Sequence, residues 1–193
     1  MAHNPLATPR RIDAVNTRLR REKLIAAAEG YLALDLPEQA LESLAAAPEP
    51  EHAVYMIAFL QGMALRLLER YDEALDAFLR AAAINPKNID LLLAMAWCYK
   101  RVDRLDMAID ATERAYQVSP KKALILYNLA CYHALAGRKQ DALSWLGRAL
   151  RIDQSYLEMV AGEHDFDAIR HDPDFQQLVR FTQEPAGSPT RIV

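Results

Sequence analysis

The residues best suited to chemistry lie close together near the carboxyl end, in the stretch EHDFDAIRHDPDF at residues 163–175. Two histidines and five carboxylates fall within these thirteen positions, and such side chains can bind a metal ion or act as a general acid and base. Spacing of this kind is compatible with a metal-dependent hydrolase, which is one alternative for the function. The candidate ligands are His164, Asp165, Asp167, His171 and Asp172.

No other catalytic pattern accompanies this stretch. The chain has 6 glycines and lacks the motifs GxGxxG, GxxxxGK[ST], GxSxG and HExxH. Cys131 and His133 are two positions apart on a predicted helix, so they point in different directions and cannot act as nucleophile and base. Cys98 and Cys131 lie in apolar stretches without a CxxC pair, which predicts reduced core thiols rather than a disulfide or a zinc site. We therefore predict no catalytic residue, no metal and no cofactor.

Composition and charge limit the function further. The chain has 193 residues, of which 52% are apolar, so it can bury the core of one domain or of a short array of repeats. A net charge of −3 gives no general attraction to nucleic acid, although basic residues cluster near the start. The sequence shows no apolar signal segment and no stretch of membrane-spanning length, so we expect a cytoplasmic protein without a membrane partner. The basic cluster comprises Arg10, Arg11, Arg18, Arg20, Arg21 and Lys23.

Small residues recur every 34 positions along the chain. Three columns hold through four successive repeats without an insertion, and they contain only alanine and one glycine. Each repeat also has two stretches with apolar residues at helical spacing, separated by a short turn, which predicts a helical hairpin. The columns are Ala28, Gly62, Ala96, Ala130; Ala40, Ala74, Ala108, Ala142; and Ala47, Ala81, Ala115, Ala149.

This pattern resembles the tetratricopeptide repeat (TPR) family, which has small residues at positions 8, 20 and 27 and proline at position 32 of a 34-residue repeat. Pro86 and Pro120 match the last of these positions. The resemblance implies an all-α fold, a right-handed superhelical α-solenoid of TPR helical hairpins. In the second repeat the helices are predicted at about 53–68 and 72–84, with Asp72 as a helix cap. The predicted organisation is a basic, partly helical N-terminal arm (residues 1–20), four repeats (21–54, 55–88, 89–122, 123–156), C-terminal capping helices (157–182) and a flexible tail (183–193).

Residues 157–182, called the cap below, explain the acidic stretch described first. Their apolar side chains recur at helical spacing and can cover the last helix of the fourth repeat, which has no following repeat to pack against. The sequence FDAIRHDPDFQQLV also resembles the closing element of many bacterial TPR proteins. Asp172 is expected to cap a helix that begins at Pro173, and Asp174 to favour its positive end. Most of the carboxylates are therefore assigned to helix capping.

The TPR resemblance also implies where a partner binds, because the concave face of such solenoids is built mainly by the first helix of each hairpin. That face is mostly apolar here, and Arg66, Lys100 and Arg101 form a basic lip. We therefore predict a non-enzymatic scaffold or adaptor that binds an apolar or amphipathic peptide or helix of an unidentified protein partner. The predicted groove residues are Phe59, Leu60, Met63, Arg66, Leu93, Trp97, Lys100, Arg101, Tyr127 and Asn128.

Several alternatives remain open at this point. The chain's own first helix, at about residues 9–34, or a second copy of the protein can fill the same face. The basic arm favours a nucleic-acid-associated factor as a second function, and the His/Asp stretch a hydrolase as a third. The positions that some TPR proteins use to clamp the carboxylate tail of a chaperone are largely apolar or acidic here, and aliphatic side chains replace the polar ones needed to read RNA bases, so neither activity is expected.

Overall fold

The structure is a computed structural model that describes residues 9–48 and 55–183. Every regular element in these ranges is helical, which confirms the all-α class. The chain divides into two compact units, Met1–Pro86 and Lys87–Val193, which are described one at a time. The predicted tail beyond residue 183 and the first eight residues of the predicted arm lie outside the described residues.

Helices follow one another in hairpins within each unit. The first unit contains α1 (Pro9–Ala33), α2 (Pro37–Ala45), α3 (Tyr55–Leu67) and α4 (Tyr71–Ile84). The second contains α5 (Ile89–Arg101), α6 (Leu105–Val118), α7 (Ala123–Leu135), α8 (Lys139–Ile152), α9 (Tyr156–Gly162), a 3₁₀ helix (His164–Phe166) and α10 (Pro173–Gln183). Consecutive helices pack as the pairs α1–α2, α3–α4, α5–α6 and α7–α8, and the start of α1 at Pro9 agrees with the sequence expectation.

The alanine columns act as spacers between packed helices. Every alanine in the three columns is buried, and none is more than 6% exposed. Gly62 shows why the side chains must be small, because a Cβ atom built there would lie 2.4 Å from the ring of Phe78. A larger side chain at such a site overpacks the contact by roughly 1–3 kcal/mol. The repeat pattern thus reports the close approach of helices.

A left-handed residue ends the first helix of each hairpin. Its position also recurs every 34 residues, at Asp35 (φ 56°), Glu69 (58°), Asp103 (58°) and Gly137 (72°). Backbone bonds close each turn, as where the amide of Arg104 donates to the carbonyl of Tyr99 at 2.8 Å. Such a bond satisfies a carbonyl that the helix end would leave without a partner.

This turn corrects the predicted cap of the second helix in repeat two. Residue Arg70 precedes α4 and provides no side-chain capping bond, whereas Asp72 lies inside the first turn of the helix. The chain enters α4 directly from the left-handed residue Glu69, so the helix starts at Tyr71, before Asp72 can precede it. The carboxylate of Asp72 still lies near the positive end of the helix dipole.

The cap packs on both helices of the last hairpin. As predicted, α10 contacts α8, and a Cδ atom of Leu178 lies 3.4 Å from the point where Gly147 would carry a Cβ. The carboxylate of Asp172 accepts a hydrogen bond from the amide of Asp174 at 2.9 Å, and α10 begins at Pro173, which confirms the predicted helix start. The 3₁₀ helix, in contrast, lies against α7, a contact that the sequence did not indicate.

Candidate functional site

In the first unit, the predicted groove residues divide between core and surface. Leu60 is 6% exposed and belongs to the core cluster that includes Ala28 and Leu44, so its assignment to a binding surface is wrong. Phe59 is half-buried, and its ring centroid lies 6.1 Å from that of Phe78. The side chains of Met63 and Arg66 are also half-buried.

In the second unit, α5 presents a partly exposed ridge. Leu93, Trp97 and Arg101 are spaced four apart and therefore lie along one side of the helix. The first two are half-buried and the third is exposed, with its guanidinium 5.5 Å from the centre of the Trp97 ring. We call these three residues the α5 ridge. The ridge combines an aliphatic side chain, an indole and a cation.

Lys100 beside this ridge is already engaged by the cap. Its ammonium lies 2.6 and 2.5 Å from the two carboxylate oxygens of Asp165, which is 7% exposed. The predicted basic lip is therefore wrong at this position, because the charge of Lys100 is neutralised within the chain. Sequence reasoning missed the pair because its members are 65 residues apart.

The cap also covers the predicted groove position on α7. Tyr127 is 2% exposed, and its ring centroid lies 5.0 Å from that of Tyr156 and 5.9 Å from that of Phe166. Phe166 in turn packs against Phe175 at 5.6 Å. Tyr127 is thus a core residue rather than a groove residue, because the 3₁₀ helix folds back onto α7. Asn128, next in the chain, is half-buried.

The His/Asp stretch does not form a single constellation. His164 is 92% exposed and contacts Asp167 at 3.1 Å, whereas Asp172 pairs with Lys139 at 2.8 Å and Asp165 with Lys100. His171 is exposed. These side chains point to separate partners, so they are not brought together as the ligands of one metal or as an acid/base pair.

Arg170 orders the stretch through backbone contacts. Its guanidinium donates to the carbonyls of Val160 at 3.2 Å, Ala161 at 3.1 Å and Glu163 at 2.6 Å, and it also pairs with Asp167 at 2.9 Å. The hydrogen bond from Arg170, followed by that from His164, lowers the pKa of Asp167. The local chemistry of this stretch is therefore structural.

A different cluster forms where the cap meets α7. The thiol of Cys131 and carboxylate oxygens of Glu163 and Asp165 all lie within 4.8 Å of one another. Burial, followed by the charges of Asp165 and Glu163, raises the pKa of the Cys131 thiol. The hydroxyl of Tyr127 is buried and has no hydrogen-bond partner among the described residues. The sequence gave no sign of this cluster, since Cys131 has neither a second cysteine nor an acid close to it in the chain.

The exposed part of α1 carries the basic residues of the predicted arm. Residues 13–20 are exposed throughout, and Arg18 pairs with Glu22 at 2.8 Å. The later part of α1 packs on α2 and α3, where Ser43 donates a hydrogen bond to the carbonyl of Leu24 at 2.9 Å. Within the described ranges, no helix is both long enough and apolar enough to cross a bilayer.

Comparison with known proteins agrees with this architecture. Models of the tetratricopeptide repeat match residues 56–88 and 77–110. No curated protein sequence shows a significant match.

Solved structures of low sequence identity share the fold. MamA from Desulfovibrio magneticus RS-1 is 16% identical with a TM-score of 0.73, and the match covers 85% of this chain and 92% of that one. A tetratricopeptide repeat protein from Parabacteroides merdae is 19% identical with a TM-score of 0.72, covering 85% and 66%. YrrB, described as a TPR protein with an unusual peptide-binding site, is 17% identical with a TM-score of 0.65, covering 90% and 97%.

Proposed function

Because the chain is a tetratricopeptide repeat protein, we propose that it is a non-enzymatic scaffold whose α5 ridge binds an apolar or amphipathic segment of a partner protein. The observation that carries this proposal is the partial exposure of Leu93 and Trp97, with Arg101 stacked beside the indole. Tryptophan and arginine are enriched among the residues that dominate binding energy at protein interfaces.

The chemistry of the ridge favours a helical or extended peptide. An amphipathic helix docks through side chains three or four residues apart, which matches the spacing along α5. The indole offers apolar area, and the exposed guanidinium of Arg101 favours an acidic residue at the edge of that contact. Phe59, Met63 and Arg66 on α3 remain predicted binding residues in the first unit.

The cysteines support a non-enzymatic role. Cys98 and Cys131 are both buried, and burial raises the pKa of the Cys131 thiol. A buried protonated thiol is a poor nucleophile. His133 is buried on the same helix, where burial lowers its pKa, and its nearest carboxylate is Asp141 at 3.9 Å. Neither cysteine is therefore set up as a nucleophile.

The test is loss of a specific partner on truncation of Trp97. Proteins captured from a native lysate by the full chain are identified by mass spectrometry, and the affinity of the docking segment is then measured by calorimetry. Trp97→Ala should weaken binding about thirtyfold, which corresponds to ~2 kcal/mol. Circular dichroism should show an unchanged fold.

Trp145→Phe is the matched control. Trp145 lies on α8, packed edge-on against Tyr116 at 5.0 Å and under the guanidinium of Arg148 at 4.2 Å. Its replacement should leave affinity unchanged. A folded Trp97→Ala protein that binds its partner as tightly as the wild type would contradict the proposal. Binding that survives this change and collapses with salt would instead indicate the basic part of α1.

A further inference from the structure

Three potential metal ligands converge at the contact between α7 and the cap. Cys131 comes from α7, whereas Glu163 and Asp165 come from the cap, and their donor atoms lie within 4.8 Å of one another. Cys131 is 3% exposed, Asp165 is 7% exposed and Glu163 is half-buried. The three residues are fixed by different elements, so the cluster exists only when the cap is docked.

The charges in this cluster do not balance. Lys100 contacts both oxygens of Asp165, at 2.6 and 2.5 Å. Glu163 makes no ion pair among the described residues, and its carboxylate accepts a hydrogen bond from the amide of Asp165 at 3.3 Å. Two carboxylates therefore share a single ammonium, which leaves one negative charge in a partly buried place. Such a charge is costly unless a cation or a proton compensates for it.

Tyr127 supplies an independent sign of a missing partner. It is 2% exposed, and its hydroxyl has no hydrogen-bond partner in the part of the chain that the structure describes. It lies one helical turn before Cys131, on the same side of α7. Burial, and then the charges of Cys131, Glu163 and Asp165, raise its pKa, which locates the hydroxyl beside these groups. A buried polar group without a partner indicates a site for water or an ion.

We propose that Cys131, Glu163 and Asp165 bind a divalent cation of the Zn²⁺ class, with the hydroxyl of Tyr127 bonded to a water molecule in the fourth position. A thiolate ligand favours Zn²⁺ over Mg²⁺ or Ca²⁺, which prefer all-oxygen sites. The ion would fasten the cap to α7. This site is independent of partner binding at the α5 ridge.

The binding step balances in charge and protons. The thiol of Cys131 loses its proton to solvent as the bond from sulfur to metal forms. Three anionic ligands, one divalent ion and the ammonium of Lys100 then sum to zero. Zn–S bonds of about 2.3 Å and Zn–O bonds of about 2.1 Å need donors roughly 3.5 Å apart, so the half-buried side chain of Glu163 has to close in. Lys100 keeps one oxygen of Asp165 and gives up the other.

The experiment uses the full chain, stripped of metal with a chelator and titrated with Co²⁺ and then Zn²⁺. Co²⁺ bound to a thiolate gives a charge-transfer band in the near ultraviolet, and Zn²⁺ should displace it. Cys131→Ser should abolish the band, and Glu163→Gln should weaken Zn²⁺ binding at least about tenfold. Lys100→Met should strengthen binding, because it removes a competing positive charge.

Proton release gives a second readout. Between pH 6 and 8, the apparent Zn²⁺ affinity of the wild type should rise about tenfold per pH unit, since one thiol proton leaves on binding. Zn²⁺ should also raise the melting temperature, because it binds the folded state. Both effects should be lost in Cys131→Ser.

Two controls locate the site. Cys98→Ser, which changes the other buried cysteine, should keep the Co²⁺ band, and so should the double change of the exposed residues His164→Ala and His171→Ala. A band that persists in folded Cys131→Ser overturns the proposal. So does a folded wild type whose Zn²⁺ affinity equals that of both Cys131→Ser and Glu163→Gln.

Discussion

Helices α5 and α7 occupy equivalent places in consecutive repeats, yet their equivalent faces are in different environments. Leu93 and Trp97 on α5 are half-buried, whereas Tyr127 and Cys131, 34 positions later, are 2% and 3% exposed. The difference arises from the cap, whose 3₁₀ helix lies against α7. The position of a residue within a repeat therefore indicates which way its side chain points, and the neighbouring segment determines whether a partner can reach it.

The cap has two tasks at the end of the array. A terminal repeat has no successor, so α10 covers α8 as the next hairpin would. The chain between α9 and α10 returns to the first helix of the same hairpin, where Phe166 packs on Tyr127 and Asp165 pairs with Lys100. This second contact converts a face that resembles a binding surface into core.

The largest expected effect comes from removing the side chain that separates the two faces. Phe166 is fully buried, so Phe166→Ala should lower the free energy of unfolding by about 3–5 kcal/mol, measured by urea denaturation. Leu93→Ala on the half-buried α5 ridge should cost less than about 1.5 kcal/mol. Equal losses in the two variants would contradict the distinction between the faces.

A smaller effect is expected at the turns that follow the two helices. Gly137 after α7 has φ 72°, a region that costs a residue with a Cβ roughly 1 kcal/mol, so Gly137→Ala should destabilise by about that amount. Asp103 occupies the same place after α5 with φ 58°. Asp103→Gly should change stability by less than ~0.5 kcal/mol, since relief of strain offsets the greater freedom of the unfolded chain. A comparison of midpoints in urea distinguishes these outcomes.

The smallest effect concerns acid. Hydrogen bonds from Lys139 lower the pKa of Asp172, and those from Arg170 and His164 lower the pKa of Asp167, below the ordinary value of 3.8. Their contribution to stability is complete above that value and is lost as pH falls through the lowered pKa.

Melting temperatures should therefore fall slightly more steeply below pH 4 in the wild type than in Asp172→Asn. Asp106→Asn, an exposed change on α6 outside the cap, serves as the control and should keep the wild-type slope. Identical slopes in all three proteins would show that the cap carboxylates do not contribute.

Residue spacing was sufficient to predict the hairpins and much of the cap. The alanine columns depend on close helix packing within a hairpin, which is a local constraint, and all of these alanines are buried. The capping role of Asp172 was also predictable, because the geometry involves residues two apart.

Contacts between distant segments were not predictable in this way. The pairing of Lys100 with Asp165 and the burial of Tyr127 depend on a return of the chain over α7 that no spacing encodes. The left-handed turns lie between these cases. Glu69 and Asp103 carry no obvious signal, although their alignment with Gly137 at 34-residue steps is visible in hindsight.

The contacts of Arg170 bear on how the folded protein meets proteases. A trypsin-like enzyme must draw an arginine side chain into its specificity pocket and straighten several residues on either side. Here the guanidinium is occupied by the carbonyls of Val160, Ala161 and Glu163. Cleavage after Arg170 therefore requires the cap to open first, whereas Arg20 and Arg21 extend from a helix segment that is largely exposed.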